Sequence, residues 1–160
     1  MFWIDYLSRV THIGTAIALV GGSLFMLLVL FPAAKLLASD AHDSLAAGIT
    51  ARWKRFVHLG ILLFLVSGFY NYFRAMPNHR GDGLYHAIIG SKMLLALGIF
   101  FIASALVGRS PRFAAYRAQR ARWLTILVLL ASLIVLLSSY VKVRGPSSPS
   151  PVPTVVTQSE

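Results

Sequence analysis

Lys92 lies alone in a run from Gly83 to Gly108 that otherwise carries no charge, and His12 lies near the start of a second charge-free run, Thr11 to Ala34. An ammonium group at membrane depth is costly unless it snorkels to the boundary, pairs, or ligates something. A neutral imidazole at that depth is a ready metal ligand or hydrogen-bonding group. Counted inward along two helices that run the same way, His12 lies about five residues in and Lys92 about seven to nine, so at ~1.5 Å per residue both sit roughly 8 to 13 Å below one boundary. A third run, ending near Phe73, returns to that layer and carries Ser67 and Asn71 one above the other on one helix face. His86 stands at the mouth. The candidate site is therefore a polar pocket built from His12, Ser67, Asn71, His86 and Lys92.

Each of these residues also has a plainer role. Lys92 can snorkel along its apolar stem, His12, Ser67 and Asn71 can join neighbouring helices by hydrogen bonds, and His86 can be an ordinary interfacial residue. Met76, His79 and His86 offer a thioether and two imidazoles, a ligand set suited to copper. His58, beside Arg55, reads as structural, and His42 with Asp43 as a solvated pair.

The elements that must position these groups follow from charge. Phe56 to Phe73 and Trp123 to Val141 also lack Asp, Glu, Lys and Arg, and each of the four runs approaches or exceeds the roughly 20 residues that span hydrocarbon. The chain is 57% hydrophobic and 12% charged, with a mean hydropathy of +0.71, which describes a protein whose solvent is largely lipid. The expected fold is all-α, a four-transmembrane-helix bundle formed by residues 1–144, with spans at about 7–31, 54–74, 84–108 and 122–142. The net charge of +10 comes from basic residues in the connections, where they meet anionic headgroups, and points to no nucleic acid. With no cysteine, disulfides, thiolate zinc sites and iron-sulfur clusters are excluded.

The connections after the first and third spans hold nine basic residues (Lys35, Arg52, Lys54, Arg55, Arg109, Arg112, Arg117, Arg120, Arg122), against five on the other side (Arg9, Arg74, Arg80, Lys142, Arg144). Both termini are therefore expected outside the cytoplasm. The first run is too long for a signal h-region and reads as a retained helix. Pro32 is expected to end that helix, with a short interfacial helix between Pro32 and Thr50 and a loop from Arg74 to Tyr85. Gly14, Ala18 and Gly22 have the spacing that lets membrane helices approach closely. Arg109 to Arg122, with Phe113 and Tyr116, reads as an amphipathic connection on headgroups. Trp3, Trp53 and Trp123 with Tyr70, Tyr72 and Phe73 read as interface belts. Residues 145–160, rich in Pro and Ser, read as a disordered tail.

His12 near the start of the first helix, Gly21-Gly22 within it, Pro32 at its end, "LVSGFYNY" closing the second and "GSKMLLAL" in the third together resemble the membrane domain of the copper-resistance protein D (CopD-like) family. The pattern is also similar to the HemJ-type protoporphyrinogen oxidases, four-helix membrane proteins that bind haem b. The resemblance covers about Leu7 to Arg144. Ala18, Leu19 and Val20 stand where that pattern usually has a tryptophan before the glycine pair. In the HemJ-type family a first-helix histidine and a third-helix lysine matter for haem binding or activity, and the matching positions are His12 and Lys92.

Three functions are thus open. One is a haem b protein with a redox role, in which His12 is an axial ligand and either His86 or a neutral Lys92 is the other, or a charged Lys92 pairs a haem propionate. Another is copper handling through Met76, His79 and His86. The last is a structural or assembly subunit. The expected setting is the bilayer of a bacterial inner (plasma) membrane, with a membrane redox partner or a second copy of the chain as the candidate protein partners.

Overall fold

The computed structural model describes residues 1–145; the expected tail falls on 146–160 and lies outside the described residues. The described chain is all-helical, with four helices long and apolar enough to cross a membrane. These are α1 (Phe2–Ala34), α2 (Ser39–His79), α3 (Gly83–Val107) and, after a short helix α4 (Ala114–Ala118), α5 (Arg120–Arg144). Their outward faces remain apolar: Ile17, Val66, Leu94 and Leu129 are all strongly exposed. On this scale that is the surface of a protein solvated by lipid.

Pro32 does not end α1, as its missing N–H leads one to expect. The helix widens into a π-turn over Met26–Leu30, where the Phe31 N–H bonds to the Met26 carbonyl five residues back, and then continues to Ala34. The wider turn relieves the clash between a proline ring and the carbonyl one turn earlier. Nor is there a separate interfacial helix between Pro32 and Thr50. The connection is only residues 35–38, and α2 begins at Ser39 and runs unbroken through Gly48 into the apolar run. No proline lies between Ala33 and Met76, and one glycine within a helix costs only about 1 kcal/mol relative to alanine.

At its other end α2 continues past Arg74, and its last turn tightens to a 3-10 helix over Met76–His79. The expected loop from Arg74 to Tyr85 shrinks to residues 80–82. Gly81 takes φ +80° there, and the Asp82 carboxylate caps α3 by accepting the Tyr85 N–H at 3.0 Å. Between α3 and α5, Arg117 donates to the Gly108 and Ser110 carbonyls at 3.0 and 2.9 Å and folds the connection back on the end of α3.

The four long helices form two close pairs, α1 on α2 and α3 on α5, with α2 against α3 and α1 against α5 in looser contact. The buried core lies toward the end away from the chain termini, where Ile102 and Leu106 of α3 meet Leu124 and Leu127 of α5, flanked by Met26, Leu27 and Phe31. At the terminal end each close pair is pinned by an aspartate. Asp5 of α1 takes a forked bond from Arg74 of α2, Nε to Oδ1 and Nη2 to Oδ2, both 2.8 Å, and the Tyr70 hydroxyl donates to it at 2.8 Å. Asp82, buried at the start of α3, accepts from Arg144 at the end of α5 at 3.1 and 3.2 Å.

Candidate functional site

The pairs enclose a cavity of about 560 Å³ that runs along much of the bundle. That size falls within the range of ligand and cofactor pockets, roughly 300 to 1,000 Å³. Its wall is mostly apolar and aromatic, including Phe31, Trp53, Phe64, Phe69, Tyr72, Tyr85 and Phe100. The polar groups in the wall are few. His12, Asn71 and Lys92 belong to one end and Thr50 and Arg120 to the other, and Ser23 and the polar tips of Trp53, Tyr72 and Tyr85 complete them.

His12 is held on three sides. Its Nδ1 lies 3.0 Å from the Ser67 Oγ, its ring meets Phe64 edge-on at 4.2 Å between centroids, and its Cε1 would be 3.2 Å from a Cβ at Gly68. Gly68 thus makes room for the ring. The Ser67 hydroxyl has one proton, and it is spent on the Leu63 carbonyl one turn back, at 2.6 Å. Toward His12 that oxygen can only accept, so Nδ1 carries the imidazole proton. The Phe64 carbonyl is a second acceptor for the imidazole N–H, and it lies beside the Ser67 Oγ at 3.4 Å. The consequence falls on Nε2, which is left with an unprotonated lone pair. No fully buried side-chain nitrogen or oxygen among the described residues lacks a hydrogen-bond partner, so Nε2 keeps some exposed surface on a ring that lines the cavity.

Lys92 is partly buried in the same wall, and its charge is close enough to act on His12. Among the described residues it has no carboxylate partner: Asp5 and Asp82 are taken by Arg74 and Arg144, and Asp43 faces His42. Asn71 lines the cavity one helical turn beyond Ser67. Ser67 itself sits behind His12, buried and outside the wall.

Of the five residues expected to share a pocket, three line the cavity, Ser67 orients one of them, and His86 stands apart. His86 is exposed and its ring meets the edge of Tyr85 at 5.5 Å. Of Met76, His79 and His86, the two histidines both meet the Tyr85 ring. The His79 Nδ1 is 3.1 Å from the Ala75 carbonyl and its ring stacks on Tyr85 at 3.7 Å. Among the described residues no group of three or more His, Cys, Asp or Glu side chains is arranged to hold a metal ion. His58 is exposed, with its Nδ1 2.7 Å from the Lys54 carbonyl.

Two residues of the wall were given other roles by the sequence. Trp53, assigned to an interface belt, lies across α1 at Gly22 and would overlap any side chain there. The Gly21-Gly22 pair was the available signal, since a gap on one helix implies a bulky filler on another. Arg120, counted with the headgroup arginines, lines the far end of the cavity and donates weakly to the Thr50 hydroxyl and the Leu106 carbonyl, both at 3.4 Å. Its place just inside the start of α5 was the hint. No family model, no curated protein and no solved structure matches this chain, so the site is read from its own geometry.

Proposed function

We propose that this chain is a multipass membrane protein that binds haem b in its central cavity, with His12 as an axial ligand and a redox role in the membrane. One observation carries the reading: the Ser67 hydroxyl, committed to Leu63, fixes the His12 tautomer that leaves Nε2 free as a donor. A hydrogen bond on the far nitrogen is the arrangement that orients metal-ligating histidines in general. Haem b, when bound, supplies a one-electron iron couple whose potential depends on axial ligand and burial.

The remaining parts fall to the wall. Lys92, a cation without a carboxylate partner among the described residues, pairs an acidic side arm of the porphyrin. Asn71 offers an amide beside it, and Phe64, Phe100 and Tyr72 keep water from the ring. Four-helix bundles hold such cofactors between facing helices. On the nine-to-five basic bias, the termini lie on the extracytoplasmic face of a bacterial plasma membrane, so the His12 and Lys92 end of the cavity lies nearer that face. Electrons would come from a membrane redox partner.

The test is a visible spectrum of protein produced with ample haem. The wild type is expected to show a Soret band that shifts on reduction. His12→Ala should lose it, Lys92→Met should weaken it, and His58→Ala should leave it unchanged. Methionine keeps an unbranched apolar stem while removing the charge, which separates chemistry from packing. A colourless wild type that is folded and inserted would refute the haem reading. Lys92→Met with full stability and full haem content would remove Lys92 from the site.

A further inference from the structure

The far end of the cavity is a second polar end that haem binding does not use. Leu106, whose carbonyl receives Arg120, and Lys92 both lie in the wall on α3, fourteen residues apart. At 1.5 Å per residue the two ends are about 21 Å apart along the helix. A ring system ligated by His12 and paired with Lys92 leaves the Arg120 end free. Arg120 meets Thr50 and the Leu106 carbonyl, and the lining also holds Trp53, Ala103 and Leu124, whose polar groups are confined to the Trp53 indole N–H.

Arg120 is partly buried, its two hydrogen bonds are at the long limit, and it has no carboxylate partner among the described residues. A guanidinium has five donors in a rigid fork that matches a carboxylate. Arg120 is the cation that lines this end of the cavity, and one carboxylate balances it there, while Arg117, near enough to act on it, lies outside the wall. We propose that this end of the cavity is a binding subsite for a long-chain carboxylic acid, its carboxylate on Arg120 and Thr50 and its chain along the cavity past Trp53 and Ala103. The subsite stands independently of the haem reading, since the two use different wall residues.

Trp53 supplies the readout. In a Trp3→Phe, Trp123→Phe background, held in nanodiscs of zwitterionic lipid, stearic acid bearing a nitroxide near its head should quench Trp53 saturably. Its methyl ester should require roughly tenfold to a hundredfold more, the range for losing a charge-assisted hydrogen bond. Arg120→Gln should abolish the preference for the acid while leaving haem content unchanged, and Arg120→Lys should keep part of it. Ala103→Phe fills the chain path without touching Arg120 and should remove saturable quenching by both probes, which keeps the test open if Arg120→Gln fails to insert. Equal quenching by acid and ester, a preference that survives Arg120→Gln, saturable quenching that survives Ala103→Phe, or tighter binding of a nitroxide-labelled alkyl phosphate would each overturn the proposal. Loss of the Soret band in His12→Ala with acid binding intact is expected, and separates this site from the haem site.

Discussion

Ser67→Ala tests the chemistry of the site without touching any group that would meet a ligand. In the wild type the Ser67 hydroxyl donates to Leu63 and accepts the His12 Nδ1–H. Removing it leaves that N–H with the Phe64 carbonyl as its remaining acceptor, and losing one of two hydrogen bonds costs about 0.5 to 1.5 kcal/mol. The ring can escape by moving its proton to Nε2, but then the nitrogen open to the cavity no longer has a lone pair to give. Either way haem affinity should fall, by roughly 2- to 10-fold, since one of the two hydrogen bonds behind the histidine is lost. The assay is titration of haem into the haem-free protein in nanodiscs, followed at the Soret band, with helicity and thermal unfolding recorded on the same samples. Ser67→Thr retains the hydroxyl and should restore most of the affinity. Unchanged haem affinity in Ser67→Ala, with the fold intact, would refute the part given to Ser67 and with it the main support for His12 as a ligand.

Gly68→Ala should lower haem affinity while leaving the helix sound, because the new methyl meets the His12 ring at 3.2 Å whereas helix propensity itself gains about 1 kcal/mol; paired haem titration and thermal unfolding check this. Asp82→Asn keeps a good helix cap but removes the charge opposite Arg144, and should destabilise the bundle by about 3 kcal/mol in unfolding from detergent micelles. Reporter fusions after Arg144 should behave as extracytoplasmic and those between Arg112 and Arg120 as cytoplasmic; the reverse at both positions would invert the orientation.

The four spanning helices are legible in the sequence because lipid excludes charge so strictly that each run announces itself. The ends of those helices are less legible. Pro32 reads as a stop by its chemistry, but a π-turn over Met26–Leu30, ending two residues before it, carries the helix onward, and nothing in the local sequence marks that turn. The start of α2 was misplaced because Ser39, Asp40 and Asp43 look like a solvated connection until they are seen to continue into an apolar helix. Depth arithmetic brought His12, Lys92 and Asn71 to one cavity, since rise per residue is nearly constant among spanning helices. Rotation about the helix axis is not given by depth, and so His86, at a suitable depth, is exposed beside Tyr85 and is not part of the wall. The two aspartate pins were invisible for a different reason: Asp5 and Arg74 are 69 residues apart, and only the packed bundle makes them neighbours.

Those pins also bear on how a guest reaches the interior. Each joins the members of one close pair, α1 to α2 and α3 to α5, and neither ties one pair to the other. The seams between pairs are the looser contacts. A hydrophobic guest entering sideways from the acyl chains would therefore meet least resistance at the seam between the two pairs. The absence of native cysteine makes that route testable: a disulfide engineered between α2 and α3 should slow loading and release, while one between α1 and α2 should not.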